Sequence, residues 1–327
     1  MKRLQRLLPT LITLLGLGFV VYFLAFKVSL KEIGAYLRNG NLALMGLALL
    51  LILAMVFLKG VRWSYLLKMQ GVSYPVWDSY LIYMGSLFWG TVTPGRMGDF
   101  MKVLYLKRDR KMGLGLGMSS VLVDRVFDLY ILLILGCLGL LLHPLPDNPN
   151  MVKGVWIFFA ILVLVTIVAF NQKTGEWLMK TVFQKAMGDK LSGHADQAFH
   201  DFHWGMESFY RPALLWPALL TVMSYILFFT GCWFLALSLN IPIGPAYLAF
   251  CIAVVNIVSL VSFAGVGTRE GALLILFGLE HFSQSQAMAY DAVFVFVGTI
   301  LICALGFLAY LLKPVKFGKD SLLSEEP

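Results

Sequence analysis

The sequence predicts an all-α polytopic membrane protein with about six full spans, two oppositely oriented re-entrant helical hairpins, and an inverted repeat relating them. Three observations carry that expectation. Of 327 residues, 59% are hydrophobic and 13% charged, with mean hydropathy +0.81; soluble domains carry about 25% charged residues. Apolar runs near the length that crosses a bilayer, about 20 residues, recur along the chain. Two such runs end abruptly in charged, glycine-broken stretches: Thr93-Pro94-Gly95-Arg96-Met97-Gly98-Asp99 and Ala264-Gly265-Val266-Gly267-Thr268-Arg269-Glu270-Gly271.

Full spans are expected at about 7–26, 42–61, 118–142, 152–170, 213–238 and 287–312. The first reads as a retained span, because its apolar run is too long for a signal-peptide core and no small-x-small cleavage site follows. Segments 76–93 and 246–263 lead into the charged stretches, and each is followed by a second short apolar stretch (100–106 and 272–279). Positive residues decide whether these segments cross or return. If 76–93 crossed, Lys102, Lys107, Arg108, Arg110 and Lys111 would lie opposite Lys2, Arg3 and Arg6, against the positive-inside rule. A hairpin at about 76–106, entering from the cytoplasmic side, places that cluster with Lys59, Arg62, Lys68, the loop 171–212 and Lys313, Lys316 and Lys319. The loops 143–151 and 239–245, free of lysine and arginine, become external. Lys27, Lys31 and Arg38 are the exception. By the same logic about 246–281 enters from the outside. The chain 1–327 then forms a single transmembrane domain with cytoplasmic termini and a cytoplasmic interfacial loop, 171–212.

The net charge is +8, from 26 basic and 18 acidic residues. It lies mostly between apolar runs, which reads as topology control and contact with anionic lipid rather than nucleic-acid binding. Cys137, Cys232, Cys251 and Cys303 fall in apolar runs and read as small core residues. His200 and His203 with Asp196 and Asp201 read as a solvated loop, so no metal and no cofactor are expected. Trp63, Trp77, Trp156, Trp177 and Trp216 sit near span ends, as interfacial anchors do. Gly113, Gly115 and Gly117 read as a close helix contact.

Charges at membrane depth are costly, and broken backbone is tolerated there only inside protein or against a polar cavity. Pro94 and Gly95 end one half-helix, and the next starts near Gly98 or Asp99. Such a start offers unpaired N–H groups and the positive end of a dipole, which suit phosphate. Gly95, Arg96 and Gly98 are therefore candidate substrate contacts, with Gly265, Gly267 and Arg269 as their counterparts. The structural alternative pairs Arg96 only with Asp99 as a clamp. Arg269 and Glu270 are about 100° apart on a helix, so one faces the cavity and the other pairs elsewhere. In Asp124-Arg125-Val126-Phe127-Asp128 the two carboxylates share a helix face. Asp99, Asp124, Arg125, Asp128 and Glu270 form the expected charge network, its carboxylates neutralising Arg96 or Arg269, with proton coupling as the alternative role. Asn256 contributes either a cavity contact or a helix–helix hydrogen bond.

These residues resemble the transmembrane region of the lysylphosphatidylglycerol synthase/flippase family. Its Pro-Gly-Arg-x-Gly-acid motif matches Pro94, Gly95, Arg96, Gly98 and Asp99. Its acid-Arg-x-x-Asp motif matches Asp124, Arg125 and Asp128. Its late Pro-Gly-Gly-x-Gly-x-x-Glu motif matches Gly265, Gly267 and Glu270, and departs at Phe263 and Ala264. The resemblance covers essentially the whole chain. It implies lipid translocation, or partnership with a lipid- or glycan-lipid-modifying enzyme. Members that make aminoacylated lipid carry an added soluble domain; this chain stops soon after its last span, so synthase activity is not expected.

The resulting expectation is a flippase-like protein of the bacterial cytoplasmic membrane. It moves a lipid with an anionic or phosphate-containing head group through a midplane cavity between the hairpins, with no catalytic residues, and its sequence fixes no oligomeric state. The alternative is a membrane-embedded enzyme, or an enzyme-partner scaffold, acting on a lipid phosphate or polyprenyl-linked glycan, with Asp124 and Asp128 as acid and base.

Overall fold

A computed structural model describes residues 38–93, 98–142, 200–206, 208–209, 212–259 and 267–314, with isolated positions between 153 and 164. Their regular elements are helices: α1 Leu42–Met69, α2 Val76–Val92, α3 Met101–Arg110, α4 Leu114–Leu142, α5 Leu215–Ser238, α6 Pro245–Val258, α7 Thr268–Leu279 and α8 Gln284–Leu312. No strand occurs among the described residues. The helices α1, α4, α5 and α8 are long and apolar enough to cross a membrane. They lie where the spans 42–61, 118–142, 213–238 and 287–312 are expected. The expected span 7–26 lies outside the described residues, as does most of 152–170 and of the loop 171–212.

Local chemistry sets the boundaries. Asn41 starts α1 by accepting hydrogen bonds from the amides of Ala43 and Leu44 at 3.0 and 3.2 Å, as an N-cap does. Ser283 and Gln286 form a capping box at the start of α8, which satisfies amides that the first turn leaves unpaired. A π-helical stretch, Phe296–Leu301, interrupts α8 midway.

The other four helices are short. At about 1.5 Å per residue, α2, α3, α6 and α7 reach about 25, 15, 21 and 18 Å, below the ~30 Å hydrocarbon thickness. They occur as two broken pairs, α2 with α3 and α6 with α7. Each pair is preceded by one long helix and followed by another.

Packing repeats that order. The most extensive contact joins α1 to α5; next come α2 with α8 and α4 with α6. Exchanging the two quartets, α1–α4 for α5–α8, leaves this set unchanged. Both crossed contacts are made through glycine. A Cβ on Gly306 would lie 2.5 Å from the Met84 carbonyl, and one on Gly139 would lie 2.5 Å from the Ala246 carbonyl. Only a residue without a side chain lets the backbones approach so closely.

Among the described residues three apolar clusters fill the interior, the smallest joining Leu66 and Val123 to Phe202, Met206 and Phe209. Of the other two, one gathers Phe250, Phe277 and Tyr290 between α4 and α8. The other gathers Trp63, Tyr83, Phe88, Tyr105 and Tyr310 around α2. Trp63 is thus not the interfacial anchor expected of it: it is fully buried, its ring 5.5 Å from the Lys102 ammonium. Trp77, Trp156 and Trp216 are exposed, as anchors require. All four cysteines are free and buried. Gly117 packs against Val103 of α3, where a Cβ would meet the valine side chain at 2.9 Å, so this glycine of the three makes the expected helix contact, while a Cβ on Gly113 would meet the Asp201 carboxylate at 2.8 Å.

Candidate functional site

The first broken pair turns sharply. After α2 ends, the Gly98 amide donates to Thr93 Oγ1 at 2.7 Å, and Gly98 lies directly on the α2 backbone. A Cβ there would sit 2.0 Å from the Trp89 carbonyl carbon. Asp99 follows, almost wholly buried, with its carboxylate over Gly90. The break therefore doubles back on its own helix and holds Asp99 in place by packing. Gly95 and Arg96 lie outside the described residues.

Asp99 pairs with Arg125 of α4, and behind that pair stands a larger network in two layers. In the first, Arg62 of α1 donates to Asp124 Oδ1 from Nε at 2.9 Å and from Nη2 at 2.6 Å. Its Nη1 donates to Thr221 of α5 at 2.8 Å. The other Asp124 oxygen accepts from Lys102 at 2.9 Å and from the Tyr83 hydroxyl at 3.0 Å. In the second layer, Lys59 donates to Asp128 at 2.9 Å and to the Tyr225 hydroxyl at 3.2 Å. Arg62 joins the layers through Asp128 Oδ1 at 2.9 Å, and Arg125 approaches Asp128 at 3.8 Å.

Helical spacing produces this ladder. Lys59 and Arg62 are three apart on α1, Asp124 and Asp128 four apart on α4, and Thr221 and Tyr225 four apart on α5. Each pair shares a face and meets the others rung by rung.

Asp124 and Asp128 were expected to neutralise Arg96 or Arg269; among the described residues their close partners are instead Lys59, Arg62 and Lys102, while Arg96 lies outside those residues. The placement of those three cations among cytoplasmic loop charges is corrected too, because all three are buried. Their positive charge suggested loops, but it is matched inside the bundle, which is how buried charge becomes tolerable. The spacings that meet were legible in the chain; which faces would meet was not. Among the described residues four cations (Lys59, Arg62, Lys102, Arg125) share three carboxylates (Asp99, Asp124, Asp128), which leaves one positive charge in excess.

The second break is built more lightly. Gly267 has φ +80, a left-handed conformation that costs little only for glycine. Its amide donates to Glu270 Oε2 at 2.6 Å, so Glu270 caps α7 and is the partner turned away from the cavity. Arg269 is buried and donates to Asp291 of α8 at 2.6 Å, with Glu270 at 3.3 Å. Asp291 was not singled out by sequence, although it is a carboxylate inside an apolar run. Gly265 lies outside the described residues.

Residues flanking both breaks, Thr93 and Asp99 at the first and Ser259 and Arg269 at the second, line one cavity of about 400 Å³. Lys59, Asp99, Arg125 and Asp128 line it from the first quartet and Arg269 from the second. Asn256 also lines it, while donating to the Ile252 carbonyl of its own helix at 2.8 Å. Apolar groups, among them Leu87, Phe228 and Phe294, form much of the remaining wall, with Gly298 and Thr299 of the π-helical stretch. Among the described residues no group of three or more histidine, cysteine or acidic side chains is arranged to hold a metal.

The chain matches the family described as lysylphosphatidylglycerol synthase TM region across residues 10–306. It is 24% identical over 333 residues to a UPF0104 membrane protein of Methanocaldococcus jannaschii, covering 95% of this chain and 97% of that protein. No solved structure gives a significant match.

Proposed function

We propose that this chain, which belongs to the lysylphosphatidylglycerol synthase transmembrane-region family, is a lipid translocase for a lipid with an anionic or phosphate-containing head group. One observation carries the reading: residues from both broken helix pairs line a single cavity whose larger charge cluster has a positive excess. Its volume falls within the ~300–1,000 Å³ range of small-ligand sites. That suits a head group, with the acyl chains left in lipid. In this reading the short helices are re-entrant hairpins of an inverted repeat in the cytoplasmic membrane, and Arg96 and Arg269 hold the phosphate. Glycine-broken half-helices meeting at a midplane site are the architecture expected for alternating access.

The membrane-enzyme alternative loses its acid–base pair. Asp124 and Asp128 are already committed to Arg62, Lys102 and Lys59, and such carboxylates are poor proton carriers. Translocation is tested by reconstituting the purified chain in vesicles with a head-group-labelled phospholipid. Wild type should move label between leaflets, and Arg96→Ala and Arg269→Ala should each fall to the protein-free rate while remaining folded. Full activity in both variants would sink the assignment. Mass spectrometry of the lipids separates the enzyme reading, since a translocase returns its lipid chemically unchanged.

A further inference from the structure

We infer that Asp99 and Arg125 form a donor–acceptor subsite selecting a head group that carries, beside its phosphate, an N–H or O–H donor. This rests on the reading that the cavity receives a lipid head group. The two residues are ion-paired and both line the cavity. That pair joins Arg125 Nη2 to Asp99 Oδ2, yet Asp99 Oδ1 and Arg125 Nε have no hydrogen-bond partner among the described residues. The other carboxylates of the cluster differ: each oxygen of Asp124 and Asp128 accepts at least one hydrogen bond from a neighbouring helix. Asp99 is 1% exposed, and a buried polar group without a partner is costly and is rarely kept without a use.

Packing fixes its position. Gly98 rests on the α2 backbone, and a side chain at Gly90 would come within 3.0 Å of Asp99 Oδ1. The carboxylate cannot turn away from the cavity to find another donor.

Two chemical demands follow. The unmatched Nε–H of Arg125 suits a phosphate oxygen, which Arg holds well. A phosphate placed there would face the Asp99 carboxylate, and like charges repel. An ammonium or hydroxyl next to the phosphate removes that conflict by donating to Asp99. A head group with the phosphate alone, or with every N–H replaced by methyl, leaves the carboxylate unmatched. Sites built around a hydrogen bond reject analogues that lack it, because their own buried group stays unpaired.

The test uses the purified full-length chain in detergent with soluble dihexanoyl lipids. The probes are phosphatidylethanolamine, its N,N-dimethyl form, phosphatidylcholine and phosphatidylglycerol. The ethanolamine, dimethyl and glycerol lipids should bind about tenfold or more tighter than the choline lipid, the worth of one hydrogen bond to a charged group. The fall should come at the third methyl, which removes the last N–H. Whether ethanolamine or glycerol binds tighter names the donor as ammonium or hydroxyl, and either result supports the inference. Asp99→Leu should bring the four affinities to within about threefold of one another. If that variant fails to fold, the wild-type methylation series decides alone. Equal affinity for the ethanolamine and choline lipids, or a preference that survives Asp99→Leu, overturns the inference. Discrimination without translocation would keep it and remove the translocase reading; translocation without discrimination would do the reverse.

Discussion

The quartets α1–α4 and α5–α8 repeat one another in order and in pairing, but they carry charge very differently. The first quartet holds seven buried or part-buried ionic groups tied across three helices, with hydroxyls of Thr221 and Tyr225 closing the rungs. The second places Arg269 against Asp291, with Glu270 spent largely on a helix cap. The breaks differ in the same sense. Gly98 is pressed on the backbone of α2, whereas none of the described residues lies within 4 Å of a Cβ on Gly267. One scaffold thus provides a rigid side, where a network fixes Arg125 and Asp99, and a lightly held side that presents Arg269. For alternating access, the lightly held hairpin is the element expected to move.

The largest test of that contrast removes one carboxylate from each quartet. Asp124→Leu leaves Lys102 without its carboxylate and Arg62 with Asp128 alone, and breaking a buried pair in this way costs about 3–5 kcal/mol. Asp291→Leu leaves Arg269 with Glu270 still at 3.3 Å, so its loss should be smaller, about 2 kcal/mol. Thermal unfolding of both variants in one detergent checks the order. Equal losses would dissolve the distinction between rigid and lightly held sides.

How much of this was readable beforehand follows the same divide. The long helices are legible because an apolar run of bilayer length has few other ways to fold, and the breaks because glycine and charge interrupt such a run. Asp99, Asp124, Arg125 and Asp128 were recognisable as one network by residue type and spacing. Their partners were not. Lys59, Arg62 and Lys102 carry the charge that also marks cytoplasmic loops, and only the meeting of α1 and α3 with α4, and of α1 with α5, turns them inward. Asp291 stands alone in its run, with no local companion to mark it as the partner of Arg269. Pairing between distant helices depends on which faces meet, and one helix's periodicity does not contain that.

A second pair of substitutions sharpens the contrast at the breaks. Gly98→Ala places a methyl 2.0 Å from the Trp89 carbonyl carbon, so the hairpin must open, at a cost of about 3 kcal/mol or more. Gly267→Ala meets no described atom within 4 Å and costs only its strained positive-φ backbone, about 1–3 kcal/mol. Melting temperatures should fall in that order. In the vesicle assay Gly98→Ala should also lose translocation, because it displaces Asp99.

The smallest expected effect lies at the far end of the first hairpin, beyond the cavity. There Asp109 accepts from Arg108 at 2.5 Å and from the Tyr74 hydroxyl, with Lys313, just past α8, at 3.4 Å. Arg108 also donates to the Pro314 carbonyl at 2.6 Å, so the group latches α3 to the end of α8. Partial burial raises the Asp109 pKa, but the hydrogen bonds from Arg108 and Tyr74 outweigh it and hold the carboxyl below its ordinary 3.8. The unfolded chain therefore binds the proton first as pH falls. The latch contributes its full stability above about pH 4 and loses it as pH drops through the lowered folded value. Because the group is largely exposed, that contribution is about 0.2–1 kcal/mol. Asp109→Asn should melt slightly below wild type at pH 6 and together with it at pH 3. A gap that persists at pH 3 would assign the latch to packing rather than charge, and would leave the rigidity of the first quartet to its buried network alone.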